Sequence, residues 1–251
     1  MAYVDYLIAG IFLPLFPFSM LLNVLYGRIQ QPLLRSLILL LWPQAGLYLV
    51  FYFGLSVPGW LVGWALLTSM LYALRLLVLR EVGLWTSFIA TSAWALLWLL
   101  FEHGTDRQHL ELFALGISVP LVLMALLGAG LERRFGAAYL GLYNGLAHSL
   151  PRFSGILAIV VLAVVATPLF PGFFAMFSLI LKSMPTAPAI SLGVAIVWLL
   201  WSWAGARLLQ GLIAGPQTQV VDDLSRINMW LYIAVLAGLV FTGVYSLGVM
   251  A

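Results

Sequence analysis

The chain has 251 residues, of which 64% are hydrophobic and only 8% charged. Soluble domains carry about 25% charged residues, so this composition excludes an ordinary soluble domain and assigns the chain to lipid. The absence of cysteine excludes disulfides, thiolate metal sites and cysteine catalysis, and a net charge of +3 is too small to argue for nucleic acid.

At roughly 20 residues per crossing, the apolar stretches predict an all-α membrane protein with about eight transmembrane helices. They fall at 4–25, 34–54, 57–79, 84–102, 110–131, 152–182, 188–210 and 226–249. The connections are short, so neighbouring helices are expected to pack antiparallel. Residues 1–251 then form a single transmembrane domain. The N-terminus lacks a basic region and its apolar stretch continues into a full span, so no cleavable signal peptide is expected.

Basic residues fix the expected orientation. Arg28, Arg35, Arg75, Arg80, Arg133, Arg134, Arg152, Arg207 and Arg226 fall at one end of the spans, and only Arg107 and Lys182 at the other. The positive-inside rule puts both termini on the non-cytoplasmic side. Between the fifth and sixth spans, Phe135, Tyr139, Leu142, Tyr143, Leu146 and Leu150 recur at near-helical spacing. That spacing predicts a cytoplasmic amphipathic helix over 132–150, lying on the membrane surface or packed on neighbouring loops.

The sixth span is unusual. Its middle reads Thr167-Pro168-Leu169-Phe170-Pro171-Gly172, where the prolines remove amide donors and free carbonyls. Bare backbone at that depth is tolerated only inside protein or beside a polar cavity, and transporters use such breaks to handle ions. The expectation is one proline-broken helix. Asp222 and Asp223 precede the last span and suit the amides of its N-terminus.

Other polar residues are sparse. Asn23, Gln44, Thr68, Ser69, Ser92, Ser118, Thr167, Ser178 and Ser191 lie within spans, where hydrogen bonding between helices is the favoured reading. Arg75 and Arg207 sit about a turn inside their helix ends and can snorkel to headgroups. Lys182 ends the broken helix and reads as an interfacial anchor or a displaced relay group. Arg80 and Glu81 read as a pair, with each other or with a partner. The loop from Glu102 to Glu111 has mixed charge and no helical histidine pair, so no metal site or cofactor is expected. The tryptophans divide between interfacial belts and a lipid- or partner-facing surface made by Trp94, Trp98, Trp198, Trp201 and Trp203.

These segments resemble the antiporter-like membrane subunits of respiratory complex I, membrane-bound hydrogenases, multisubunit cation/proton antiporters and inorganic carbon accumulation complexes. The resemblance rests on Leu131-Glu132-Arg133-Arg134, then Gly145 to Arg152, then Thr167 to Phe174, followed by Ala206 to Gln210, Gly215-Pro216 and Asp223-Leu224-Ser225 in the same order. Leu13 to Pro17 with Leu25 to Arg28 resembles the family's first helix. The resemblance thus likens 1–55 to the family's N-terminal helices and 56–251 to its C-terminal ones. It also implies loss of the middle that holds the family's first broken helix.

What the resemblance implies about chemistry is a loss. The family places a lysine or glutamate where this chain has Met176, and a histidine where it has Gly116. With both neutral, the expected role is an accessory, non-conducting subunit of a proton-gradient-coupled complex. It would brace or dock a full-length antiporter-like subunit and meet a cytoplasmic subunit through its basic end, with membrane lipid around it. An inorganic carbon uptake complex and a complex I-like assembly are the two contexts, in a bacterial inner membrane. The alternative is a proton- or cation-translocating subunit that uses the break as a half-channel. A lipid-acting enzyme would need Asp106 and His109, and no enzymatic activity is expected.

Overall fold

The computed structural model describes residues 2–216 and 221–250. Their helices are α1 (Ala2–Phe12), α2 (Ser19–Arg28), α3 (Pro32–Tyr52), α4 (Gly59–Leu76), α5 (Val82–Ala95), α6 (Leu97–Glu102), α7 (Arg107–Phe135), α8 (Leu146–Ser149), α9 (Pro151–Val164), α10 (Pro171–Ser183), α11 (Pro188–Ile213) and α12 (Arg226–Met250). Six segments are long and apolar enough to cross a bilayer: α3, α4, α5 with α6, α7, α11, and α12 through Ser246. The expected sixth span is two short helices, α9 and α10, with the break between them. The expected first span is also two, α1 and α2, a second break beyond the one read from the sequence.

The centre of the bundle is α5–α6 and α7. The span from Val82 to Glu102 is 83% buried within the protein, whereas the α12 span is 17% buried and faces outward. Leu, Ala and Trp fill the middle: Trp85, Trp94, Trp98 and Trp201 are all fully buried. The tryptophan surface expected from Trp94, Trp98, Trp198, Trp201 and Trp203 therefore does not form, and only Trp203 of the five is exposed. A buried indole is kept inside by its large ring area, with its N–H needing a partner. Trp201 finds one at Ser92 Oγ, 2.9 Å away.

The amphipathic helix expected over 132–150 is replaced by a strap. Helix α7 runs on to Phe135 and ends at Gly136, whose left-handed backbone (φ 80°) closes it. Gly141 and Gly145 also take positive φ, at 85° and 71°. Three such residues within ten prevent a continuous helix. Instead the strap pairs with the start of α5, through Val82 N–H to Ala138 O (3.0 Å) and Leu140 N–H to Arg80 O (2.8 Å). Phe135 and Tyr143 stack at 4.2 Å, so the near-helical spacing reflects anchor points of the strap and only α8 is helical.

Asp223 also departs from expectation. Its carboxylate accepts from the backbone N–H groups of Arg152 (2.9 Å), Phe153 (3.1 Å) and Leu224 (2.6 Å). It caps α9, seventy residues away, because Leu150 offers that helix no side-chain cap. The α12 N-terminus is served by Ser225 Oγ, which accepts from Asn228 N–H at 3.2 Å.

One half-buried ion pair ties the basic end together. Arg35, only 7% exposed, donates to Glu132 Oε1 at 3.1 Å and to Ile29 O at 2.7 Å. The pair links α3 to the end of α7, beside the strap.

Candidate functional site: the two helix breaks

The second break runs from Val165 to Phe170. Ala166 and Leu169 both take left-handed backbone there, at φ 58° and 83°, which is costly for residues with a Cβ. Thr167 Oγ1 donates to Leu162 O at 2.9 Å. The freed carbonyls of Val165 and Ala166 accept from a single donor, the indole N–H of Trp198, at 3.1 and 3.2 Å. Pro168 is exposed, while Pro171 and Gly172 are buried as the first residues of α10.

The first break, between Phe12 and Ser19, is handled in the same way. Trp42 Nε1 donates to Ile11 O (3.1 Å), Trp98 Nε1 to Leu13 O (3.0 Å) and Trp64 Nε1 to Phe16 O (2.7 Å). Thr68 Oγ1 accepts from Phe16 N–H at 3.1 Å. Each of these donors is neutral and non-titrating. Tryptophan N–H groups thus engage the backbone oxygens of Ile11, Leu13 and Phe16 at the first break and of Val165 and Ala166 at the second.

Close packing reinforces this. A Cβ at Gly116 would stand 2.5 Å from Pro171 Cβ, and a Cβ at Gly46 would stand 2.7 Å from Leu13 Cγ. Each break is pressed by a helix whose glycine admits it. Gly116 therefore has no room for a larger side chain, and Met176 is buried at 3% exposure on α10. Ser118, fully buried on α7, has no hydrogen-bond partner for its hydroxyl.

The two breaks share a tetrapeptide. Pro14-Leu15-Phe16-Pro17 and Pro168-Leu169-Phe170-Pro171 are identical. The α1–α2 pair reaches the basic end at Arg28, whereas α9–α10 leaves it at Pro151, so the two broken spans run in opposite directions. Oppositely directed broken helices are a recurrent device of transporter folds.

The remaining candidates divide between the two ends. At the basic end, Arg80 and Arg207 line one cavity of about 400 Å³ with Gln210 and Trp85. Arg75 lies over the Phe88 ring at 5.9 Å. Glu81 makes the isolated backbone bridge with Tyr139, and among the described residues no ion pair joins it to Arg80. At the opposite end, Lys182 Nζ donates to Thr105 Oγ1 at 3.2 Å. Lys182 and Thr105 line a cavity of about 390 Å³ with Asp106, His109 and Ser178. His109 approaches Asp106 at 3.6 Å. Among the described residues no group of three or more acidic or histidine side chains is arranged to hold a metal.

This fold is shared with several solved structures. A chain of respiratory complex I from Thermus thermophilus with bound NADH superposes with TM-score 0.86 at 20% identity, over 97% of this chain and 54% of that one. At this identity the likeness is one of fold. A chain of the Mrp complex from Dietzia sp. DQ12-45-1b gives TM-score 0.76 at 18% identity, over 86% of this chain and 42% of that one. A chain of the membrane-bound sulfane sulfur reductase, an archaeal respiratory membrane complex, gives 0.79 at 18%, over 94% and 51%. The chain thus spans about half the length of the chains it matches. No family model matches the sequence, and no curated protein matches it.

Proposed function

We propose that the chain is an accessory, non-conducting subunit of a proton-gradient-coupled membrane complex, where it braces or docks a full-length antiporter-like subunit. The observation that carries this reading is the sealing of both helix breaks by tryptophan N–H groups. Proton transfer at depth calls for titratable groups or ordered water, and this site supplies neutral donors, a glycine in contact with Pro171, and Met176. The subunit acts by shape: its outward α12 faces a membrane partner, and its arginine-rich end faces a cytoplasmic one. Both termini then lie outside the cytoplasm, in a bacterial inner membrane. An inorganic carbon uptake complex or a complex I-like assembly is the setting, and the chain has no enzymatic activity of its own.

The resemblance likens residues 1–55 to the family's N-terminal helices. The break in α1–α2 supports a different alignment, with these residues standing for the family's first broken helix. The chain is then a block containing both broken spans.

A second reading, proton or cation translocation through the Pro168–Gly172 break, draws on Lys182 and its cavity with Asp106 and His109. Extraction in mild detergent separates the two readings when joined to reconstitution. The accessory role predicts co-purification with a longer antiporter-like chain. It also predicts no proton flux from this chain alone in liposomes. Flux above empty vesicles supports the second reading.

A further inference from the structure

We propose that the trench between α7 and α12 binds one membrane phospholipid, with its phosphate on Arg133 and Arg134 and an acyl chain along the trench. The trench encloses about 690 Å³ and is walled by α7, α9 and α12. Along α7 it runs from Leu123 to Arg134, about 16 Å at the helical rise.

The trench exists because α12 is held at both ends and stands off between them. Toward its C-terminal half, Gly243 packs on the carbonyl of Leu169. At its start, Arg134 Nε donates to Asp222 O (2.9 Å) and Arg152 to Leu224 O (3.3 Å). Between these ties Leu231 and Val235 line the trench while remaining 61% and 40% exposed. Among the described residues no helix fills the gap.

The trench has two chemical zones. Its depth is leucine, valine and the Phe153 ring. Its mouth carries two guanidinium groups whose recorded partners are backbone carbonyls: Arg133 Nε on Ala129 O (3.3 Å), and Arg134 on Gly130 O (3.0 Å) and Asp222 O. Those bonds, and the Phe153 ring 5.7 Å from Arg134, orient the stems. Neither arginine is among the ion pairs of the described residues. Guanidinium donors match phosphate oxygens in geometry and charge. Asp222 also lines the mouth and supplies one carboxylate. Two cations beside one anion complement a headgroup with a phosphodiester and an ammonium, which selects an aminophospholipid. A ligand with a charged end and a long apolar body fits both zones, and the bilayer supplies it without limit.

The test is native mass spectrometry of the purified chain with added phosphatidylethanolamine, scored against phosphatidylglycerol and inorganic phosphate. The expected result is one phosphatidylethanolamine retained per chain. The double variant Arg133→Gln/Arg134→Gln should bind it at least about tenfold more weakly, the loss of charge-assisted contacts. Val235→Trp blocks the trench from an exposed position, keeps both arginines, and should release the lipid even if the double variant fails to fold. Arg28→Gln, outside the trench, should retain it. Retention by Val235→Trp, preference for phosphatidylglycerol, or binding of inorganic phosphate alone would each overturn the proposal.

Discussion

Gly116 and Pro171 meet where the family resemblance implies a relay histidine: a Cβ at 116 would lie 2.5 Å from the proline Cβ. The missing side chain at 116 and the proline of the break are thus one packing arrangement. Gly116→Ala should destabilise the protein by about 1–3 kcal/mol through overpacking, read as a lowered midpoint of thermal unfolding in detergent. Gly116→His should be worse, because its ring has no space beside α10.

The indole of Trp198 holds two carbonyls of the second break. Trp198→Phe keeps the ring area and removes the donor. It should cost about 1–3 kcal/mol by leaving buried acceptors unmade, and amide exchange around Ala166 and Thr167 should quicken. Trp98→Phe should act in the same way at Leu13. Unchanged exchange at both sites would mean the indoles do not seal the breaks.

Met176→Lys restores a basic residue in the broken span without its surroundings. A lysine near a helix centre costs about 2.5–3.5 kcal/mol on insertion scales. Lower expression and no gain in proton leak are expected. Normal expression accompanied by a leak would show that the rest of a relay is in place.

Glu132 answers Arg35, which is nearly fully buried, whereas Glu132 itself is about a third exposed (side-chain exposure 8% and 32%). Breaking a fully buried pair costs about 3–5 kcal/mol, so Glu132→Gln should cost less, about 1–3 kcal/mol. Denaturation that begins where α3 meets α7 should expose the strap, seen as faster exchange at Val82 and Leu140.

Burial raises the Tyr143 hydroxyl well above its ordinary value of 10.0, and the Glu132 charge adds to the rise. Its oxygen has no hydrogen-bond partner. The folded state thus holds this proton more tightly than the unfolded state. Stability is untouched below about pH 10 and falls above it, as the unfolded tyrosine ionises first. Tyr143→Phe should flatten that alkaline loss at no cost near neutrality.

Much of the architecture was legible because apolar length is a one-dimensional signal, and the expected spans coincide with helices to within a few residues. The first break was hidden by its position. Pro14 and Pro17 lie in an apolar opening that reads as one span, and only the recurrence of Pro-Leu-Phe-Pro betrays it. The tryptophans were illegible for a different reason. Trp198 serves carbonyls more than thirty residues away and Trp98 one eighty-five away, and no local pattern encodes such distances. The strap over 136–145 was misread because residues three and four apart also serve as anchors when left-handed glycines fold the chain back. Asp223 was assigned to the nearest helix start, whereas α9 was the one without a cap.

On the proposed function, neutral indole donors hold both breaks and the chain passes no protons by itself. The direct measurement is proton flux into liposomes containing the purified chain, under an imposed pH gradient and potential, with empty vesicles as the baseline. Flux equal to that baseline is the result this account requires. Flux above it that disappears on substituting Lys182, the cationic side chain at the far end of the broken span, would contradict it.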